Sequence, residues 1–455
     1  MKRRFALFLS LIMLTGCGGS TADVSSTNNT AAANTKTTQN IYSEDAWQLV
    51  YAVEAAHPAF IMEGMLPDGY EAAKARFLET SENAESLDDF EVAVNIYLNS
   101  IKDIHTCISK LATEENESTL RNMYRYELDI KYIEQDGKLL LANEDHESTG
   151  AEIISVGGIE PKDIFKTIDD MFPIENNIAE SYYRRNYSLS REILRLSGCN
   201  VSGDAIEVVC SDETRQVPFT DLSEDTSEPA YEIKTADIKK INDIMYVNIS
   251  SFKTKDDNYI KALEQIQEFA ENGGGKVIID LRNNSGGMLL FLKETVRAFD
   301  MNIPVGKIVT RHSRDEWETV KKDPKAALDD KTFSEYPSTL STIRPNPNVD
   351  MVVLCNANSL SASVDMCAGI QDGKLGTVIG ITPRNSPSFF MDPLKFELPN
   401  TKIETAISGS YEYRADETAD QKVFTPDIVL DLKYSRGEEM IKYAVEEYFH
   451  EEYIQ

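Results

Sequence analysis

The sequence predicts an α/β chain, α+β overall, and three observations lead there. Residues 276–282 (Lys276-Val277-Ile278-Ile279-Asp280-Leu281-Arg282) and 351–355 are apolar runs that do not alternate, as in strands covered on both faces by helices. Stretches of helical periodicity separate these runs. Ahead of them, residues 41 to about 111 read as helical and 124 to about 219 as short strands, so helix-rich and strand-rich regions are partly segregated along the chain.

The elements follow in order. Lys2, Arg3 and Arg4 form a basic start before the apolar run 5–14, too short to span a bilayer but long enough for a signal-peptide core. The run ends in Leu14-Thr15-Gly16-Cys17, then Gly18, Gly19 and Ser20. Small residues directly before a cysteine resemble a bacterial lipobox, in which that cysteine is lipidated and becomes the mature N-terminus. An ordinary secretory peptide with an incidental cysteine is the alternative. Residues 1–17 are thus expected to be a lipoprotein signal peptide, and the mature protein to sit outside the cytoplasm on the cell membrane, held by lipid on Cys17. Residues 18–40 are mostly Ser, Thr, Asn and Ala, with too little apolar bulk to offset their ordering entropy, and read as a flexible tether.

An N-terminal helical region is expected over 41–118. Ser43, Glu44 and Asp45 offer a cap and early negative charge, and Trp47, Leu49, Val50, Val53 and Ala56 recur at helical spacing. The first helix should stop near His57-Pro58, because a residue before proline avoids the helical region. A second amphipathic helix covers about 87–101, capped near Ser86. Over 119–230 the pattern is β-rich: residues 128–133 alternate, Asp136-Gly137 turns, and 138–142 returns. Gly150 to Ile159, followed by Pro161, resembles the part of a PDZ-type module where a strand ends in a glycine turn before a short helix. The glycine–hydrophobic carboxylate loop of such modules is missing, so a degenerate PDZ-like subdomain and a plain β subdomain both fit. In 231–455, strands are expected at 244–249, 276–282, 351–355 and 376–381, and helices at 257–272 and 289–299.

Composition narrows the function. Of 455 residues, 46 are Lys or Arg and 76 are Asp or Glu, a formal charge of −30. Such a surface repels phosphate backbones, so nucleic acid is not an expected partner. After Cys17 come Cys107, Cys199, Cys210, Cys355 and Cys367, an odd number that leaves at least one free thiol. Cys199 and Cys210 flank a plausible turn; a cross-hairpin disulfide and two small buried residues are both open. No cysteine or histidine cluster has metal-ligand spacing, so neither a metal nor another cofactor is expected.

Three segments could carry chemistry. In Asp280-Leu281-Arg282-Asn283-Asn284-Ser285-Gly286-Gly287, paired glycines after a strand let the backbone aim N–H groups into open space, as an oxyanion site needs. In Asn358-Ser359-Leu360-Ser361-Ala362-Ser363-Val364-Asp365, between a strand and a helix, a serine would sit at a helix N-terminus where free N–H groups stabilise negative charge; a helix cap is the plainer reading. The third is Lys102-Asp103-Ile104-His105-Thr106-Cys107. The chain has five histidines. His57 precedes a proline at a helix end, His450 is in the tail, and His146 and His312 lie in polar stretches, which leaves His105 as the best-placed base.

Together these residues resemble the C-terminal processing, or tail-specific, serine peptidases, including the tricorn-core branch that uses histidine. Residues 246–252 and 277–287 look like that family's "YxxxxSF … IIDLRxNxGG" core, and 353–368 like its strand and "SASAS" nucleophile turn. Residues 101–109 look like its "DGHT" segment, 44–60 like its "HPxF" helix, and 425–430 like its late "xPDixv". The resemblance implies a crotonase/ClpP-like catalytic core and a serine endopeptidase acting on peptides or proteins. It implies Ser361 as nucleophile, and Gly286 or Gly287 with Ala362 as the oxyanion hole. Many members use a lysine base about twenty-five residues after the serine, which falls here near Ser386, with no lysine; Arg384 cannot serve, since a guanidinium stays protonated. The other branch pairs the serine with the "DGHT" histidine, here His105 with Ile104 replacing the glycine, and a late carboxylate. Counting back from Pro426 gives Asp420, with Glu417 beside it; solvated surface acids are the plainer reading of both. A catalytically inactive peptide- or ligand-binding lipoprotein on the same scaffold, or an esterase-like hydrolase, would be the competing functions. The oligomeric state leaves no trace in the sequence.

Overall fold

The structure, a computed structural model, describes residues 38–454 except 114–117, 144–146, 223–233 and 436. The signal peptide, Cys17, most of the tether and His146 therefore lie outside the described residues. The helix expected from residue 41 begins at Thr38 and runs to Ala56, so the last of the 18–40 stretch is helical.

Among the described residues the chain forms three sheets. The central one has six strands: Ile428–Val429, Thr377–Gly380, Val349–Cys355, Gly275–Asp280, Ile244–Ile249 and Ala236–Ile241, in that spatial order. All neighbours run parallel except the last pair, an antiparallel hairpin. Val277, Ile279, Met351, Val353 and Cys355 point into a core under the helices Asp257–Glu271, Leu289–Ala298 and Ala362–Asp372. The intervening Ile278, Val352 and Leu354 point into a second core under the C-terminal helix Glu439–Tyr443. Side chains alternate faces as they must, but both faces are apolar, and that is why these strands read as continuous hydrophobic runs.

The second sheet is antiparallel throughout: Tyr126–Leu128, Thr214–Asp221, Ala205–Cys210, Ser148–Val156, Lys138–Ala142 and Tyr132–Gln135. Its largest connection carries three helices, Pro161–Met171, Asn177–Tyr187 and Arg191–Leu196. The last two lie in a region that reads as strand-like from sequence. What makes the first of these two helical is tertiary: Tyr183 and Tyr187 stack on Phe172 with ring centroids 4.5 and 4.8 Å away, and aromatic stacking of this kind overrides a weak local preference; the second buries Ile193 and Leu194 in the same core. Cys199 and Cys210 are both free thiols; the Cys199 thiol donates to Val156 O at 3.2 Å, so the cross-hairpin disulfide is not formed and the pair are small buried residues.

The third sheet joins distant parts of the chain. Its long strand Glu404–Glu412 pairs antiparallel with Phe389–Glu397, Cys107–Lys110 and Ile308–Thr310. The N-terminal helices Thr38–Ala56, Tyr70–Glu82 and Leu87–Asn99 pack on it, sharing a core with Trp317, Leu394, Phe396, Ile403 and Ile407. Ser86 caps the third helix as its sequence predicts, accepting from Asp89 N–H. The segment just ahead of Cys107–Lys110 is thereby brought against the region around the Ala362–Asp372 helix.

Candidate active site

The strand Val349–Cys355 feeds, through a tight turn, into the helix Ala362–Asp372, and Ser361 is the residue at the helix cap. Its backbone sits at φ 55°, ψ −127°. A non-glycine residue held there costs roughly 1–3 kcal/mol and persists only when its surroundings over-determine it. They do. Ser361 N–H donates to Asn385 Oδ1 at 2.6 Å, and Leu360 N–H to Asn284 O at 3.0 Å. The flanking serines are spent on the same bracing: Ser359 Oγ donates to Leu281 O at 2.8 Å, and Ser363 Oγ to Asn284 O at 2.8 Å. Among the described residues no hydrogen bond uses Ser361 Oγ. Of the three competing serines, it is the one with a hydroxyl to offer.

The Asn-Gly-Gly turn lies directly against this serine. A Cβ on Gly286 would fall 2.6 Å from Ser361 Cβ, so only glycine admits Ser361 so close. Asn284, fully buried, ties the turn down by donating to Ile249 O and accepting the Gly286 N–H at 2.8 Å. That bond occupies Gly286 N–H. The neighbouring Gly287 N–H enters no hydrogen bond among the described residues, and Ala362 N–H, first in its helix, has no acceptor within the helix. Gly287 and Ala362 are therefore the pair of donors free to hold an oxyanion, with the helix dipole behind Ala362.

His105 is 8% exposed, its ring stacked on Phe389 at 5.5 Å. Its Nδ1 faces Asp103 Oδ1 at 3.6 Å and is buried without a hydrogen bond. Burial works to lower the His105 pKa, but Asp103, with Glu175 and Asp365, more than offsets it, and the net shift is upward. Asp103 is fully buried and crowded with donors: His105 N–H, Thr106 Oγ1, Ser408 Oγ and His57 Nε2, at 2.9, 2.6, 2.6 and 3.2 Å. Burial alone would raise its pKa; the two histidines hold it well below the usual carboxylate range. No hydrogen bond joins Ser361 to His105 among the described residues. Asp365, one turn after Ser361, is nonetheless near enough for its charge to act on His105. Burial pushes Asp365 up to about 7, and the fully enclosed Glu412 well above its ordinary value.

Sequence reasoning did not single out Asp103, His57 or Glu175. Asp103 was visible two residues from His105, but nothing local marks it as buried. His57 read as a helix stop, yet it reaches across to Asp103. Glu175 lies between two helices of the insertion in the second sheet and accepts from Ile104 N–H and Ser386 N–H. Asp420 and Glu417 sit on an exposed loop, where Asp420 caps the N–H groups of Lys422 and Val423 at 2.8 and 3.0 Å; no contact links either acid to His105. Near Ser386, where the resemblance would place a lysine, Asn385 accepts the Ser361 backbone N–H and the Arg384 guanidinium lies over the Tyr182 ring at 4.4 Å. Among the described residues no group of three or more His, Cys, Asp and Glu side chains could hold a metal ion.

No curated protein matches this sequence. Among solved structures, mature CPAF matches 87% of this chain and 94% of its own, at 16% identity and a TM-score of 0.54. CPAF complexed with lactacystin covers 87% and 96%, at 16% identity and a TM-score of 0.53. The photosystem II D1 C-terminal processing protease covers 87% and 94%, at 15% identity and a TM-score of 0.40. The first two show a shared fold. Residues 243–430, which hold the Asn-Gly-Gly turn and Ser361, match the family model of peptidase family S41.

Proposed function

We propose that the protein is an endopeptidase that cleaves peptide bonds by acyl transfer through Ser361 and His105. The observation that carries this reading is the strained Ser361 backbone with its free hydroxyl, set between two serines whose hydroxyls are spent. Neutral His105 accepts the Ser361 proton at Nε2 as Oγ attacks the carbonyl carbon. Its Nδ1 faces Asp103, which steadies the imidazolium that forms. Gly287 and Ala362 N–H groups hold the oxygen that becomes negative. Collapse breaks the C–N bond as His105 returns the proton to the departing amine. Water, deprotonated by the same histidine, then releases the acyl group from Ser361.

The site of action we propose is the outer face of the cell membrane. Lys2-Arg3-Arg4, the apolar run after it and the small residues ahead of Cys17 support lipid anchorage there. Among the described residues no helix is long and apolar enough to cross a membrane.

A fluorophosphonate probe tests the chemistry without knowledge of the natural substrate. The wild-type chain should be labelled at Ser361, and Ser361→Ala should lose both labelling and peptide turnover with its fold intact. Ser359→Ala and Ser363→Ala should keep a measurable rate. Undiminished turnover in Ser361→Ala would overturn the assignment. Comparing short esters with peptides as substrates separates a peptidase from an esterase.

A further inference from the structure

Glu175 is a half-buried acid far in sequence from both Ser361 and His105, and both of its oxygens are occupied between them. Oε1 accepts from Ile104 N–H at 3.1 Å, immediately before His105. Oε2 accepts from Asn385 Nδ2 at 2.8 Å and Ser386 N–H at 2.9 Å. Asn385 in turn accepts the Ser361 N–H on its Oδ1. A continuous line of hydrogen bonds therefore runs Ile104–Glu175–Asn385–Ser361, from the base's backbone to the nucleophile's. The next residue strengthens it: Asn176 Nδ2 donates to Arg384 O and Ser386 Oγ at 3.2 and 3.1 Å.

We propose that Glu175 is a positioning residue that fixes the spacing of His105 and Ser361 by bridging the two segments that carry them. The proposal rests on the reading of Ser361 and His105 as nucleophile and base. Three donors converge on the two oxygens, and a protonated carboxyl would set an O–H against one of them, so the ionised form is the one that fits. Burial raises the Glu175 pKa; the bonds from Ser386, Ile104 and Asn385 act the other way, the Asp103 charge adds to burial, and the net shift is upward. The same charge helps raise His105. The groups facing His105 are Asp103, Glu175 and Asp365; Asp103 on its own segment and Tyr183 and Tyr411 from packed elements feel or exert charge at Glu175. Glu175 thus acts on the reaction in two separable ways, through reach and through charge. It also makes the insertion in the second sheet part of the catalytic framework.

The test measures the second-order rate of fluorophosphonate labelling of the full chain from pH 5 to 9, with thermal unfolding as a check on folding. Glu175→Gln keeps the length but turns an NH₂ toward donors and removes the charge. Its plateau rate should fall on the order of tenfold to a hundredfold, the scale set by a displacement of about 1 Å, and its rising limb should move to lower pH. Glu175→Asp keeps the charge but is one methylene too short to bridge. It should restore the limb and not the rate. Asn385→Ala removes the acceptor of Ser361 N–H and one donor to Glu175, which breaks the line but leaves the charge, and should lose rate with little change in the limb. A Glu175→Gln protein that labels at the wild-type rate, or loses rate with an unmoved limb, overturns the proposal. If Glu175→Gln does not fold, the rate of Asn385→Ala decides, a wild-type value refuting the bridge. Ser361→Ala is run beside them: labelling that survives there condemns the nucleophile assignment and not the bridge.

Discussion

At the scale of single residues the histidine–aspartate pair carries most of the electrostatics. Ala59 N–H donates to His57 Nδ1 at 3.2 Å, so the His57 proton is on Nε2 and points at Asp103. Asp103 is thereby kept ionised and aimed at His105, whose pKa it raises. Two consequences follow with opposite signs. A general base must be neutral, so kcat/KM should rise with pH along a limb centred above the reference value of about 6.5. A raised histidine stabilises the fold below its unfolded pKa and loses that contribution as pH rises through the folded value. The enzyme therefore gains activity over the range in which it gives up that part of its stability. Asp103→Asn should lower the rate by about 10²–10⁴ and shift the limb toward lower pH, as a pH profile of probe labelling would read. Ser361 and His105 were legible because their neighbours are distinctive: serine turn, glycine pair, Asp-x-His. Glu175 and His57 were not, because each acts on a residue dozens of positions away, and a single sequence holds no signal of that distance.

Among the elements, the helix Ala362–Asp372 has its two ends fixed differently. Its start is braced by Asn284, Asn385 and the spent serines. Its end is clamped by Arg414, which donates to Asp372 at 2.6 and 3.0 Å with both side chains 5% exposed or less. A cation there also answers the negative end of the helix dipole. Removing one member of a buried pair leaves a charge without its partner, so Asp372→Ala should destabilise by about 3–5 kcal/mol, measured by urea unfolding. The strands and helices around this helix were readable from periodicity because the central sheet is buried on both faces. The helix Asn177–Tyr187 was not, since Tyr183 and Tyr187 suit a strand equally well until Phe172 gives them a surface to stack on.

For the whole molecule, the proposed anchor makes a simple demand. The wild-type protein should partition into the detergent phase, and Cys17→Ser should emerge soluble or unprocessed; unchanged partition would remove the lipid from the account. The long strand Glu404–Glu412 has a further implication for the protein's own synthesis. It holds Cys107–Lys110, next to His105, in the third sheet, while Ser361 belongs to the central one. A ribosome delivers the base early, the serine much later, and this fastening strand later still. Until about nine-tenths of the chain has emerged the strand that secures the His105 segment is unmade, and a nascent protease without it is a poor threat to its own unfolded length.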